Sequence, residues 1–216
     1  MAFRKVLAAT FYYLYQYRRP VCKALLLPCL GLIALDMAVP EEGGGLWGLL
    51  LMASLIIQVL VAVNLHRIVL LGPDSVPALG IGGWGHREWW YLARVFGLFF
   101  IVMPLLLLAV IPYIGPLLAL GGIILVAGRL GLVFPALAID RPLTFTASWH
   151  LTARHPGLMV LAVIVIPALL TALLTLIPHI PVISTVLSLL MVAIQIALLS
   201  MVYQLIMDES NQPPAD

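Results

Sequence analysis

What most limits this chain is how long it runs without a charge. Reading for such stretches places six segments at about 21–39, 46–67, 91–111, 117–139, 157–177 and 183–207, each near the ~20 residues an α-helix needs to cross the hydrocarbon of a bilayer. They absorb most of the 216 residues and leave no room for an extramembrane domain. Composition agrees: 63% of residues are hydrophobic and 9% charged, where a soluble domain carries about a quarter charged. A soluble globule is excluded. So is an electrostatic nucleic-acid binder, because net charge is only +2 and no basic run lies outside the apolar segments. Membrane β-strands would alternate polar and apolar positions, which these segments do not, so the backbone must satisfy itself as helix. The expected fold class is all-α, a polytopic membrane protein of six transmembrane helices.

Basic residues set the expected orientation. Arg4, Lys5, Arg18, Arg19 and Lys23 precede the first span, Arg67 and Arg87 flank the second loop, and Arg141 and Arg154 the fourth. The other loops, Pro40 to Gly45, Pro112 to Pro116 and Pro178 to Val182, have none. The positive-inside rule puts both termini and the even-numbered loops in the cytoplasm, with a polar tail over 208–216. Arg4 and Lys5 are followed by an aromatic run and no small-residue cleavage site, so the first span is expected to be retained. Its weak point is Lys23 and Asp36, which must lie near its ends or find partners. Cys22 and Cys29, seven apart, are too distant along a helix to pair and read as small buried hydrophobes.

Short outward loops of Pro and Gly predict tight hairpins 1–2, 3–4 and 5–6. Ahead of each lies a segment suited to headgroup depth. Over 3–19, Phe3, Val6, Leu7, Thr10, Leu14 and Tyr17 share one helical face, with Lys5, Ala9 and Gln16 opposite, as expected of a helix lying in the interface plane. Trp89, Trp90 and Tyr91 precede the second hairpin, and Phe145 and Trp149, spaced i, i+4, the third. Each hairpin's first span carries an interior proline, Pro28, Pro104 or Pro167. The pattern suggests a degenerate threefold repeat of interfacial helix plus hairpin; belts and prolines that recur in any polytopic protein are the other reading.

The stretch Arg129 to Arg154 contains an Arg within a span, a Pro-Ala step at Pro135, an acidic turn at Asp140 and then Ser148-Trp149-x-Leu151-Thr152. It resembles uncharacterised bacterial inner-membrane proteins of the YciC type and is similar to the membrane domain of some glycerophosphodiester phosphodiesterases. The sequence departs from that pattern at His155-Pro156-Gly157, where the family often has a Gly directly after the basic residue. The resemblance implies an integral inner-membrane protein and carries no catalytic residue across, because the phosphodiesterase chemistry belongs to a soluble domain.

The polar residues inside spans are Asp36, Gln58, Asn64, Arg129 and Gln195. A lone charge at the depth of Arg129 costs about 2.5 kcal/mol or more, so it needs a partner or water. Three readings stay open: a pair with Asp36, support from backbone carbonyls or from Gln58, Asn64 and Gln195, or a place in a substrate or headgroup path. Interhelical hydrogen bonds are the ordinary use of the amides. His66, His150 and His155 fall in no metal-ligand pattern and read as structural or interfacial. The run Gly80 to Gly85 lacks the strand and Lys of a phosphate loop and reads as a flexible linker. No nucleophile with a nearby base and no acidic dyad is legible, and no metal or cofactor is expected. The expected function is therefore noncatalytic: an accessory subunit of a membrane complex, or a lipid-organising factor, with membrane lipids, a larger complex or self-association as partners and no nucleic acid. The alternative is a small permease or lipid transporter with a polar path through Asp36, Gln58, Arg129 and Gln195.

Overall fold

The computed structural model describes residues 2–38, 45–77, 79–176 and 180–210. Positions 40–44 of the first outward loop, 178 and 179 of the third, and 211–216 of the tail lie outside them. The chain is all-α: α1 (Ala2–Gln16), α2 (Arg18–Ala38), α3 (Gly45–Leu71), α4 (His86–Leu107), α5 (Gly115–Leu130), α6 (Val133–Ala138), α7 (Phe145–Leu151), α8 (Pro156–Val160), α9 (Ile166–Thr175) and α10 (Pro181–Ser210). Six helical stretches are long and apolar enough to cross a membrane: Arg18–Ala38, Leu46–Leu71, His86–Val110, Gly115–Ala138, Pro156–Thr175 and Val182–Ser210. They match the six expected spans to within a few residues. The hairpin partners pack as expected, α2 on α3, α4 on α5 and α9 on α10.

Two spans are interrupted. The fourth turns at Gly131 and Leu132 between α5 and α6, and the fifth widens into a π-helical turn, Leu161–Val165, before α9. Pro167 sits in the first turn of α9; its missing N–H leaves a carbonyl one turn back without an intrahelical donor, and a widened turn accommodates that. The two interruptions meet, since a Cβ on Gly131 would lie 3.4 Å from Val163 and 3.6 Å from Met159.

Buried side chains concentrate at one end of the bundle. Val6, Leu132, Met159, Leu198 and Val202 join α1, α8 and α10 around the fourth span's break. Ala24, Val61, Leu65, Ile68 and Ala193 join α2, α3 and α10. Val59, Val63, Tyr91 and Ala138 join α3, α4 and α6. Towards the hairpin tips the helices bury almost nothing: no residue of 46–58 on α3, of 92–107 on α4 or of 166–176 on α9 is buried. Leucines exposed there face an environment as apolar as themselves once lipid surrounds the bundle. The protein is thus packed at its basic end and splayed at its tips.

Three expectations need correction. The apolar face of α1 does not face lipid: Val6 and Thr10 are buried and Phe3, Leu7 and Leu14 pack with them against α10, joined by Ala9, which had been assigned to the opposite face. The face α1 leaves exposed carries Arg4, Lys5, Phe11, Tyr12 and Tyr15, an aromatic and basic surface suited to headgroups. The second hairpin has no separate interfacial helix, because 87–94 runs straight into the span as the first turns of α4. Ahead of the third there is a separate short helix, α7. Finally, Tyr91 is not interfacial; it is buried against Phe134, ring centroids 5.3 Å apart. Trp89 and Trp90 are exposed as expected, Trp90 donating to His86 Nε2 at 2.7 Å.

Candidate functional site

The splayed half encloses a cleft of about 860 Å³ between α2, α3, α9 and α10, reaching α4 at its inner end. It runs from Trp47 to Ala62 on α3, about 22 Å at 1.5 Å per residue, and stops well short of Leu71, where α3 ends. Its walls change character along that length. Near the tips they carry Asp36, Ser54, Thr171, Thr175, Ser184 and Ser188; further in stand Val59, Ala62, Val95, Leu189 and Val192, with Gln58 between. The carboxylate and hydroxyls thus lie in the outer half of the cleft, among leucines such as Leu35, Leu50, Leu51 and Leu174, and its inner end is apolar apart from Tyr91.

Of the intramembrane polar residues, the structure brings Asp36 and Gln58 into this cleft and leaves the others out. Gln195 is half-buried elsewhere on α10. Asn64 is buried and donates from Nδ2 to the carbonyl of Gly80 at 2.6 Å, bonding a loop rather than a neighbouring helix. Arg129 is not paired with Asp36. Its guanidinium lies 5.4 Å from the ring of Trp149, with Nη1 3.5 Å from the Trp149 carbonyl; of the three readings, support from backbone is the one present. The side chains converging on it do so through its own carbonyl, which accepts from Ser148 Oγ at 2.7 Å and from Thr152 Oγ1 at 3.2 Å. Those bonds fasten α7 beneath α5. Phe145, at the start of α7, meets Gly97 of α4, where a Cβ would come within 3.2 Å of the ring. A single polar path through Asp36, Gln58, Arg129 and Gln195 is therefore not assembled: two of these residues line one cleft and two do not.

At the packed end the loops are locked by charge. Arg87 grips Asp140 with both oxygens, Nε to Oδ1 at 2.8 Å and Nη2 to Oδ2 at 2.9 Å, a bidentate geometry that adds specificity to charge. Arg67, at the end of α3, adds Nη1 to Oδ2 at 3.1 Å and also donates to the carbonyls of Ala138 and Ser75 at 3.0 and 3.1 Å. Asp140 sits at φ +60°, a left-handed conformation that Asp tolerates better than most residues. Hydrogen bonding to Arg87, helped by the charges of Arg87 and Arg67, holds its carboxyl below the ordinary range against an opposing desolvation cost. Between these loops the run from Gly80 to Gly85 is no free linker. Gly80 at φ +70° lies against the carbonyl of Ala24, and Glu88 Oε2 accepts from the Gly85 N–H at 2.9 Å.

Two of the histidines tie helices together. His66 is buried with Nδ1 2.7 Å from Ser200 Oγ, which itself donates to the Ile196 carbonyl at 2.8 Å; the hydroxyl proton being used, the ring nitrogen is the donor. His155 Nε2 lies 2.8 Å from Glu209 Oε2 and ties the start of α8 to the end of α10. Sequence reasoning missed the hydroxyls of the cleft, because a single Ser or Thr in a span carries no signal until neighbouring helices align it with others. It also missed the clasp, using Arg67 and Arg87 only for orientation, although an acidic residue directly after a span opposite two loop arginines was the available clue. No family model, characterised protein or solved structure matches this chain, so its function is read from its own residues.

Proposed function

We propose that this is a noncatalytic, lipid-organising protein of the bacterial inner membrane whose cleft holds one lipid molecule. The observation that carries the reading is where the cleft's polar groups lie: the carboxylate, the hydroxyls and Trp47 are confined to its outer half, among leucines, and the inner end is almost wholly apolar, the polarity order of a lipid with its head at the interface and its tails inward. A cleft closed at one end suits a resident guest better than a path across the membrane, which favours this reading over a permease. A transmembrane helix of a partner complex is the competing occupant, but hydroxyls and a carboxylate clustered at the mouth suit a headgroup better than an apolar helix.

The test is native mass spectrometry of protein extracted in mild detergent. Wild type is expected to retain one lipid, and Ser54→Phe, which fills the mouth, to lose most of it at unchanged thermal stability. Equal retention by both, or a copurifying polypeptide displaced by Ser54→Phe, would overturn the reading.

Both termini are proposed to be cytoplasmic, supported by the basic residues gathered at the packed end. Alkaline phosphatase fused after Asp216 should be inactive and a cytoplasmic reporter active; the converse would reverse the orientation. Kinship with the YciC-type family is likewise proposed. It is supported by the roles of the motif's polar members: Asp140 centres the clasp, and Ser148 and Thr152 fasten α7 to the Arg129 carbonyl.

A further inference from the structure

Two arginines at the packed end stand apart from the clasp. Arg94 on α4 lies with its guanidinium carbon 5.0 Å from the centre of the Phe145 ring, and Arg129 on α5 5.4 Å from that of Trp149. Phe145 and Trp149 are one turn apart on α7, and side chains so spaced are neighbours, with Cβ atoms about 6 Å apart. Both cations therefore rest on α7, against rings one turn apart. Among the described residues the ion pairs involve Arg67, Arg87 and His155, and neither Arg94 nor Arg129. Stacking occupies the face of a guanidinium and leaves the N–H groups on its edge available. Arg129 Nε is enclosed without a hydrogen-bond partner, so a ligand would meet the Nη groups, of which Nη1 makes only a long hydrogen bond to the Trp149 carbonyl. Both arginines lie inside candidate spans, beside exposed apolar side chains such as Phe96 and Leu125.

We propose that Arg94 and Arg129, held on the two aromatic rings of α7, form a binding site for the phosphate of an anionic phospholipid. A tetrahedral phosphate offers oxygens to two guanidinium edges at once, the geometry at which arginine exceeds lysine. A soluble phosphate fits the charge but leaves the adjoining apolar surface uncovered. Neither arginine lines the Asp36 cleft, whose mouth lies at the other end of the bundle, so the site does not depend on what that cleft holds.

The test titrates phosphatidylglycerol into purified, delipidated full-length protein by native mass spectrometry, with phosphatidylglycerol, phosphatidylcholine and inorganic phosphate as separate probes. Wild type is expected to bind phosphatidylglycerol more tightly than phosphatidylcholine, and Arg94→Gln/Arg129→Gln to lose about tenfold in that affinity, the size of one or two charge-assisted contacts. Arg94→Lys/Arg129→Lys keeps both charges and loses the fork; it should fall between them and serves alone if the glutamine variant does not fold. Ser54→Phe should leave this affinity unchanged. Equal phosphatidylglycerol affinity in wild type and the lysine or glutamine variants overturns the site. Millimolar inorganic phosphate displacing the lipid from wild type overturns its assignment to a lipid headgroup.

Discussion

Gly80→Ala is expected to destabilise the protein by about 3 kcal/mol or more, combining a left-handed backbone with a side-chain carbon driven into a carbonyl. Gly80 lies at φ +70°, and an added Cβ would collide with the carbonyl of Ala24 in α2 while Asn64 holds the Gly80 carbonyl from α3. Neither side can yield without moving a helix. The apparent Tm in detergent should fall on the order of 10 °C, given 2–4 °C per kcal/mol at this chain length. Gly83→Ala, three residues along with nothing near its Cβ and no positive φ, should leave Tm within a degree or two. Equal small shifts in both variants would mean that the loop is not packed between α2 and α3.

The second large effect is expected at the clasp. Arg67→Met removes three hydrogen bonds that join α3 to the loops on either side of the second hairpin, and leaves the partly buried carbonyls of Ser75 and Ala138 without that donor. The expected loss is about 2–3 kcal/mol. Asp140→Asn should cost less, about 1 kcal/mol, because the carboxylate is more than half exposed and solvent screens it; Asn also keeps the left-handed backbone, so charge alone is tested. Asp140→Ala should cost more than Asp140→Asn by the strain of φ +60°. Since the folded pKa of Asp140 is lowered, its stabilisation is fully present above the unfolded value near 3.9 and disappears as pH falls through the lower folded value. The gap between wild type and Asp140→Asn should therefore be constant from pH 8 to pH 5 and begin to narrow as pH falls below about 4. A gap that widens on acidification, or narrows on raising the pH from 5 to 8, would contradict a role for the Asp140 charge.

The spans were legible because an apolar stretch of about twenty residues has one stable outcome in a bilayer; 46–67 and 183–207 came within a few residues of α3 and α10. The hairpins followed from Pro and Gly at their tips. The face of α1 was correctly outlined around Val6 and Thr10, yet its partner was not, because a helical periodicity states which side chains are apolar and not whether lipid or α10 covers them. Tyr91 failed for the same reason: a tyrosine beside two tryptophans reads as part of a belt, but α4 turns it inward against Phe134. Arg129 and Asp36 were matched by depth along their helices, and depth carries no information about azimuth; α7 had already taken the arginine. The cleft was half visible through Asp36 and Gln58, while Ser54, Thr171 and Ser188 gain meaning only when three separate helices bring them together.

Site-specific photocrosslinking tests most directly whether a lipid occupies the cleft. A diazirine amino acid at Ser54 faces the cleft, whereas one at Leu49 faces outward on the same helix. In native membranes both should yield adducts of lipid mass. Adding Thr171→Phe, which fills the cleft from α9, should abolish the adduct at Ser54 and leave that at Leu49 intact. A polypeptide adduct at Ser54, or a lipid adduct there that Thr171→Phe does not diminish, would contradict a lipid held in the cleft.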